Sequence, residues 1–191
     1  MPTLQLDHPL PARAPFVAHG VRVQARQVSC VRVQVVGASS HERPPPAVMG
    51  LALRGEPNRA SGSDPLALWL APDSWLLVSW RMAADRLLAA IEPHSRARSC
   101  VSTDATHSLE CLEVSGARAR EVLASACGLD LRDRSFLAGH CARTRFAQIA
   151  VLVHRAAPDT FALYVDRSLA GWLWDWLADS AADASVPAGD P

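Results

Sequence analysis

Polar and apolar positions alternate through "VRVQARQVSCVRVQVVG", where Val21, Val23, Val31, Val33 and Val35 stand against polar neighbours. A period of two predicts strand, because successive side chains then point to opposite faces of a sheet. "LWLAPDSWLLVSW", Leu68 to Trp80, sets two apolar runs around Pro72 and Asp73, which predicts a β-hairpin turning at the Pro-Asp pair. "RMAADRLLAAIE" gathers Met82, Leu87, Leu88 and Ile91 largely on one helical face. Between strand and hairpin, "AVMGLALR" reads as the end of a short helix, and "ASSHERPPP" and "GEPNRASGSD" read as loops.

Beyond "PHSRARSC" the same order returns. "SLECLEVSG" alternates as a strand, and "ARAREVLASACG" predicts an amphipathic helix with Val122, Leu123 and Ala126 inward and Gly128 at its C-terminal end. "RTRFAQIAVLVHRA" and "TFALYVDR" predict strands around a second Ala-Pro-Asp, and "SLAGWLWDWLADSAAD" predicts a closing helix with Ser168 as N-cap. The halves share short strings in order: "VVG" with "VSG", "GLALR" with "GLDLR", and "APDSWLL" with "APDTFAL". Their offsets are about 79, 78 and 86 residues, the spacing of a duplicated unit. The pattern predicts an α+β fold of two similar halves, each strand–helix–hairpin–helix. Residues 21–182 form a single domain, with pseudo-repeats at about 21–95 and 100–182. Residues 1–20, with four prolines ahead of Phe16, are expected to form an extended arm able to lie along another surface, and residues 183–191 a flexible tail.

Composition narrows the class. The chain has 191 residues, 49% of them apolar, enough for a sound core and too apolar for disorder. A formal charge of zero makes no electrostatic case for nucleic acid or an anionic membrane. Every basic side chain besides histidine is Arg, which removes Schiff-base and lysine-nucleophile chemistry. The five cysteines (Cys30, Cys100, Cys111, Cys127 and Cys141) are odd in number and lack a Cys-x-x-Cys pair. They read as buried thiols of a reducing cytoplasm, not a disulfide or zinc framework. The first residues lack the basic start and apolar core of a secretory signal, and no apolar run approaches the roughly 20 residues of a membrane span. A cytoplasmic location is the expectation.

Candidate chemistry is sparse. There is no glycine-rich phosphate cradle, and the seven histidines show no His-x-x-x-His spacing. "VSGAR" leading into a helix has the form of an ordinary strand-to-helix turn, and "DATHS", with Asp104, His107 and Ser108, reads as turn chemistry. In "GHCARTRF", His140 and Cys141 point to opposite faces of a strand, while Arg143 and Arg145 share one. That pair is either a solvated edge or a clamp for an anion or a partner's carboxylate. In the closing helix, Leu169, Trp172, Leu173, Trp176 and Leu177 predict the inward stripe, with Trp174 on the flank. The strand after Asp73 is apolar on both faces: Trp75 and Leu77 on one, Leu76, Val78 and Trp80 on the other. Both faces want cover, from the other half or from another chain, and Trp75 and Trp80 are expected to pack there. Six tryptophans without a cofactor motif favour an interaction protein, with Arg143, Arg145, Trp174 and Phe16 as the candidate partner surface.

Three strings together carry a family resemblance: "LWLAPDSWLLVS", "LEVSGARAREVLASACGLDLRDRSFLAGHCARTRFAQIAVLVHR" and "DTFALYVDRSLAGWLWDWL". From about Pro65 to Asp179 the chain resembles the gamma subunits of heterotetrameric sarcosine oxidases. Ala71-Pro72-Asp73-Ser74-Trp75 stands where that family has Gly-Pro-Asp-Glu-Trp. The resemblance implies a fold like the folate-binding domain of glycine-cleavage aminomethyltransferases. It implies partnership with alpha, beta and delta subunits in a complex that oxidises sarcosine to glycine, releases hydrogen peroxide and passes a one-carbon unit to tetrahydrofolate. FAD, covalent FMN, NAD and zinc are then expected in the partner subunits, with no cofactor, metal or catalytic residue on this chain. The aspartate pair of the wider folate-binding superfamily has no counterpart here, since Phe146-Ala147-Gln148-Ile149-Ala150 contains no carboxylate. The implied role is a non-catalytic structural subunit. The alternative is a stand-alone folate-dependent one-carbon transferase or folate-binding protein. An iron–sulfur assembly factor of the same fold would carry a Lys-Gly-Cys-Tyr-type motif, and "AGHCARTRF" lacks the Lys.

Overall fold

The alternating valines form two strands in two different sheets. The computed structural model describes Leu10 and residues 13–35, 47–48, 51–53, 56–98 and 100–183. Along it run β1 (Phe16–Ala18), β2 (Val21–Arg26), β3 (Ser29–Val35), β4 (Ala47–Val48), β5 (Leu51–Ala52), β6 (Ala60–Gly62), β7 (Leu66–Ala71) and β8 (Ser74–Ser79). Then come α1 (Ala84–Arg98), β9 (Cys100–Asp104), β10 (Leu109–Ser115), α2 (Ala119–Ala124), β11 (Cys141–Phe146), β12 (Ile149–Ala157) and β13 (Thr160–Asp166). A 3₁₀ turn (Arg167–Leu169) leads into α3 (Ala170–Asp183). One sheet has the order β1-β2-β10-β13-β12-β11 and the other β6-β7-β8-β3-β9; β4 and β5 pair with each other.

The duplication is visible in the topology. β10-β13-β12-β11 in one sheet repeats the order β3-β8-β7-β6 in the other. The two hairpins match residue for residue at an offset of 86: the register slips between Trp69 and Ala71 in the first and between Arg155 and Ala157 in the second. The helices that follow begin at Ala84 and Ala170, again 86 apart. Ser29 pairs with Ser79 and Glu110 with Val165, so β3 corresponds to β10 at an offset of 81, not the 79 read from "VVG" and "VSG".

Each half lends a strand to the other. β2, just ahead of β3 in sequence, pairs with β10 (Val23 opposite Val114). β9, just ahead of β10, pairs with β3 (Val33 opposite Ser102). The exchange was hidden in the sequence because Val21, Val23, Val31 and Val33 keep one phase while facing different cores. Both crossovers are short, and the second is stitched by Thr106, whose hydroxyl accepts from the Cys30 N–H at 3.0 Å and reaches the Cys30 carbonyl at 3.3 Å. At the other end, Arg59 and His140 form an isolated antiparallel bridge between the halves. Ala60 N–H donates to the Gly139 carbonyl (2.8 Å) and Cys141 N–H to the Asn58 carbonyl (2.9 Å).

The result is four layers. α2 and α3 cover the outer face of the six-stranded sheet through Leu123, Phe161, Leu163, Leu173 and Leu177. α1 covers the five-stranded sheet, with Leu87 and Ile91 on Val31, Val33, Trp75 and Leu77. Between the sheets lies a third core, Leu68, Leu76 and Val78 from one side and Cys111, Leu152 and Tyr164 from the other. The doubly apolar β8 is thereby explained: α1 takes one face and the other half's sheet takes the other. Trp75 packs under α1 within its own half, while Trp80, just past the strand, is 48% exposed.

Several expectations are corrected. The described residues of "AVMGLALR" form the antiparallel pair β4–β5, Val48 opposite Leu51, and not the end of a helix. Leu51 and Leu53 both reach the core under α1, which is strand spacing. The arm expected to end at residue 20 enters the six-stranded sheet through β1, and Leu10 is buried in the helix-side core; residues 1–9, 11–12 and the tail at 184–191 lie outside the described residues. Asp166, not Ser168, caps the turn into α3, accepting from the Ser168 N–H at 2.9 Å and its hydroxyl at 2.6 Å. Gly116, with φ +117, is fixed by sterics: a Cβ there would stand 2.1 Å from the Gly20 carbonyl oxygen.

The face of α3 is also turned from the expected one. Ala170, Leu173, Trp174, Leu177 and Ala181 are buried, whereas Trp172 is 45% exposed and Leu169 lies at the surface. At about 100° per residue these five positions share one stripe, and Trp172 falls on the opposite side. The small alanines at 170 and 181 let the helix approach the sheet, and the large residues at 169 and 172 misled the sequence pattern. Replacing Trp174 with Ala is expected to cost about 3–5 kcal/mol through cavity formation. Trp172→Ala should stay within about 0.5 kcal/mol of the parent. Urea unfolding of the two variants measures the difference.

Candidate functional site

β11, at the edge of its sheet, turns the arginine pair to the sheet's inner face, and both side chains reach solvent. Along it Ala142 and Phe146 face the helix-side core, whereas Cys141, Arg143 and Arg145 take the opposite face. The two arginines nonetheless part company. Arg145 bonds the Gln148 carbonyl at 3.3 Å, closing the turn to β12. Arg143 points into a cavity of about 290 Å³ at the edge of the interlayer core, and Arg32 of β3 enters the same cavity. Its walls are apolar: Leu76 is the cross-strand neighbour of Arg32, Leu152 that of Arg143, and Tyr164 that of Leu152. Asp166 on the rim is held below the usual carboxylate range by the Ser168 hydroxyl and N–H.

The other predicted surface residues face inward. Trp174 is 5% exposed and packs in the helix-side core; it offers a partner almost no surface. Phe16 is half-buried against that same core from β1, because β1 pairs with β2 and turns the ring toward α3. The exposed tryptophans are Trp80 and Trp172. Trp80 borders a groove of about 640 Å³ with Arg13, Arg26 and Glu110.

Most of the polar groups with catalytic potential are committed to packing. The five cysteines are buried thiols that form no disulfide with one another. Burial pushes the Cys30 thiol up to about 12, with Asp104 and Glu110 adding to the shift. It pushes Cys141 up to about 11 against a weak bond from its thiol to the Trp69 carbonyl. Thiols so shifted stay protonated at neutral pH and are poor nucleophiles. His140 lies edge-on to Phe136, and burial together with the Arg59 and Arg155 charges lowers its pKa. The N–H groups of "VSGAR" are taken as well: Gly116 donates to the Asp159 carbonyl and Arg118 to the Gly20 carbonyl. In "DATHS", Asp104 accepts from Thr106 N–H and Ser108 donates to the Ala105 carbonyl, both within the turn. Among the described residues no group of three His, Cys, Asp or Glu side chains is placed to hold a metal.

Arg155 escaped the sequence pattern. It is 2% exposed and bonds the carbonyls of Phe136 and Pro158 and the Asp133 carboxylate, with its guanidinium 5.5 Å from the Phe161 ring centre. It thereby fastens the loop before β11 to the second hairpin. Its position in the first hairpin belongs to Trp69, so the signal was a charge in phase with Val151 and Val153 on a strand's apolar face. Arg32 gave no such signal, since a polar residue between Val31 and Val33 reads as a solvated face.

Burial lowers the pKa of His154, which lies in β12 opposite Cys141 and Ala162, to about 4. An unfolded histidine titrates near 6.5, so between about 6.5 and 4 the unfolded chain binds more protons than the folded one. The neutral imidazole's contribution is complete above pH 6.5 and is lost as pH falls toward 4, roughly 3 kcal/mol in all. A His154→Gln variant should lack this part of the acid slope. Urea unfolding at pH 7.5 and 4.5, parent against variant, reads it directly.

A family model described as the sarcosine oxidase, gamma subunit family matches residues 48–183. Among solved structures, a chain of heterotetrameric sarcosine oxidase from Corynebacterium sp. U-96, in complex with pyrrole 2-carboxylate, is similar at a TM-score of 0.81. It is 22% identical, and the match covers 92% of this chain and 91% of that one. Glycine cleavage system aminomethyltransferase T from Bartonella henselae is similar at a TM-score of 0.59 and 18% identity, over 86% of this chain and 47% of that one. A search of curated protein sequences found no match. At these identities the structural likenesses establish the fold, that of the aminomethyltransferase-like domain with two similar halves.

Proposed function

The chain belongs to the sarcosine oxidase gamma subunit family, and we propose that it serves as a structural, non-catalytic subunit of a sarcosine oxidase complex. The observation that carries this reading is the family match across residues 48–183, which takes in the hairpins and closing helices of both halves. The partners in this reading are alpha, beta and delta subunits. They hold FAD, covalent FMN, NAD and zinc and carry out the oxidation of sarcosine to glycine, with hydrogen peroxide formation and one-carbon transfer to tetrahydrofolate. The disposition of polar groups supports a structural role. Cys30 and Cys141 are pushed well above neutral pH, His154 is buried and neutral, and Arg155 is spent on joining a loop to a hairpin. Among the described residues no helix is long and apolar enough to cross a membrane.

Co-expression of the alpha, beta and delta chains with and without this chain tests the proposal. Omitting it is expected to abolish recovery of an active, flavin-loaded oxidase, and full recovery without it would refute the subunit role. Titration of the full chain with tetrahydrofolate separates this role from a folate-dependent transferase. No saturable binding at micromolar concentration is expected, and saturable binding would favour the transferase.

A further inference from the structure

The cavity between the sheets has features that the packing of the fold does not require. Arg32 and Arg143 enter it from opposite sheets, and neither makes a hydrogen bond or ion pair with a described residue. Both side chains reach solvent, so neither guanidinium is a buried charge, but two like charges are left unpaired beside the same apolar floor. Duplication does not account for them. By the register of the two sheets, the position equivalent to Arg32 in the second half is Glu113, and the position equivalent to Arg143 in the first is Gly62. Glu113 is engaged by Gln24 at 2.5 Å and lies 3.8 Å from Arg26. The paired cations therefore belong to one end of the interlayer space.

From this geometry we infer that the interlayer cavity is a binding site for a small organic carboxylate with an apolar body. The carboxylate would lie between the Arg32 and Arg143 guanidiniums, whose planar forks suit a two-oxygen anion. The apolar body would lie against Leu76, Leu152 and the ring of Tyr164, all buried at the cavity floor. The carboxylate in the lining, Asp166, is engaged elsewhere. Its Oδ1 accepts both Ser168 bonds at the start of the turn into α3, and two guanidiniums against one carboxylate leave the cavity lining with a net positive charge. A volume of about 290 Å³ is at the small end of ligand pockets and matches a body the size of benzoate or hexanoate, not a cofactor. This site is independent of the subunit role and requires no partner chain.

The test is calorimetric titration of the full chain with benzoate and with hexanoate, each against its neutral counterpart, benzamide or hexanol. At least one carboxylate is expected to bind saturably at one site, with its neutral counterpart weaker by about tenfold or more. Arg32→Gln and Arg143→Gln should each weaken it by about tenfold with an unchanged melting temperature, while Arg145→Gln should leave affinity within about twofold. The proposal is overturned if neither carboxylate saturates by roughly 20 mM. Equal binding by the Arg32 and Arg143 variants, or equal binding of the neutral compounds, also overturns it.

Discussion

Back-to-back packing of two half-sheets is the constraint from which the rest of the structure follows. Leu68, Leu76 and Val78 on one side and Leu152 and Tyr164 on the other would face water if the halves stood apart. Burial of each large apolar side chain is worth about 1.5–3 kcal/mol, so separation would expose a substantial fraction of a domain's typical net stability. The exchange of β2 and β9 adds a topological tie. Neither sheet is complete without a strand from the other half, so neither half is a finished domain. The bridge between Arg59 and His140 closes the same joint at the opposite edge.

That arrangement assigns the surfaces. Both outer sheet faces are taken by the chain's own helices and both inner faces by each other. Among the described residues, what is left for contact with other molecules is the sheet edges, the outer sides of the helices, the groove beside Trp80 and the mouth of the interlayer cavity. The buried thiols and the Arg155 node belong to this internal packing, since each is bonded or packed within the chain.

How much of this could be read from residues alone depended on the range of the interactions. The hairpins were legible because turn chemistry is local: Ala71-Pro72-Asp73 and Ala157-Pro158-Asp159 announce themselves, and even the shared bulge sits at their common offset. The family strings were legible for the same reason. Strand exchange was not, because Val23 and Val33 share a phase and nothing local distinguishes the sheet each joins. The stripe of α3 was misread since large residues at 169 and 172 outweighed the alanines whose smallness lets the helix sit close. Arg143 was identified, but its companion was expected along the same strand, at Arg145. The actual companion, Arg32, comes from the other sheet, 111 residues earlier in sequence, and only the fold brings the two together.

Site-resolved hydrogen exchange of the native chain tests the interdependence of the halves most directly. Amides of β8 in one half and β13 in the other are predicted to open with a common free energy, equal to that of global unfolding. β2 should exchange with β10, and β9 with β3. Exchange of β8 at a distinctly lower free energy than β13, with the second half still protected, would contradict the account.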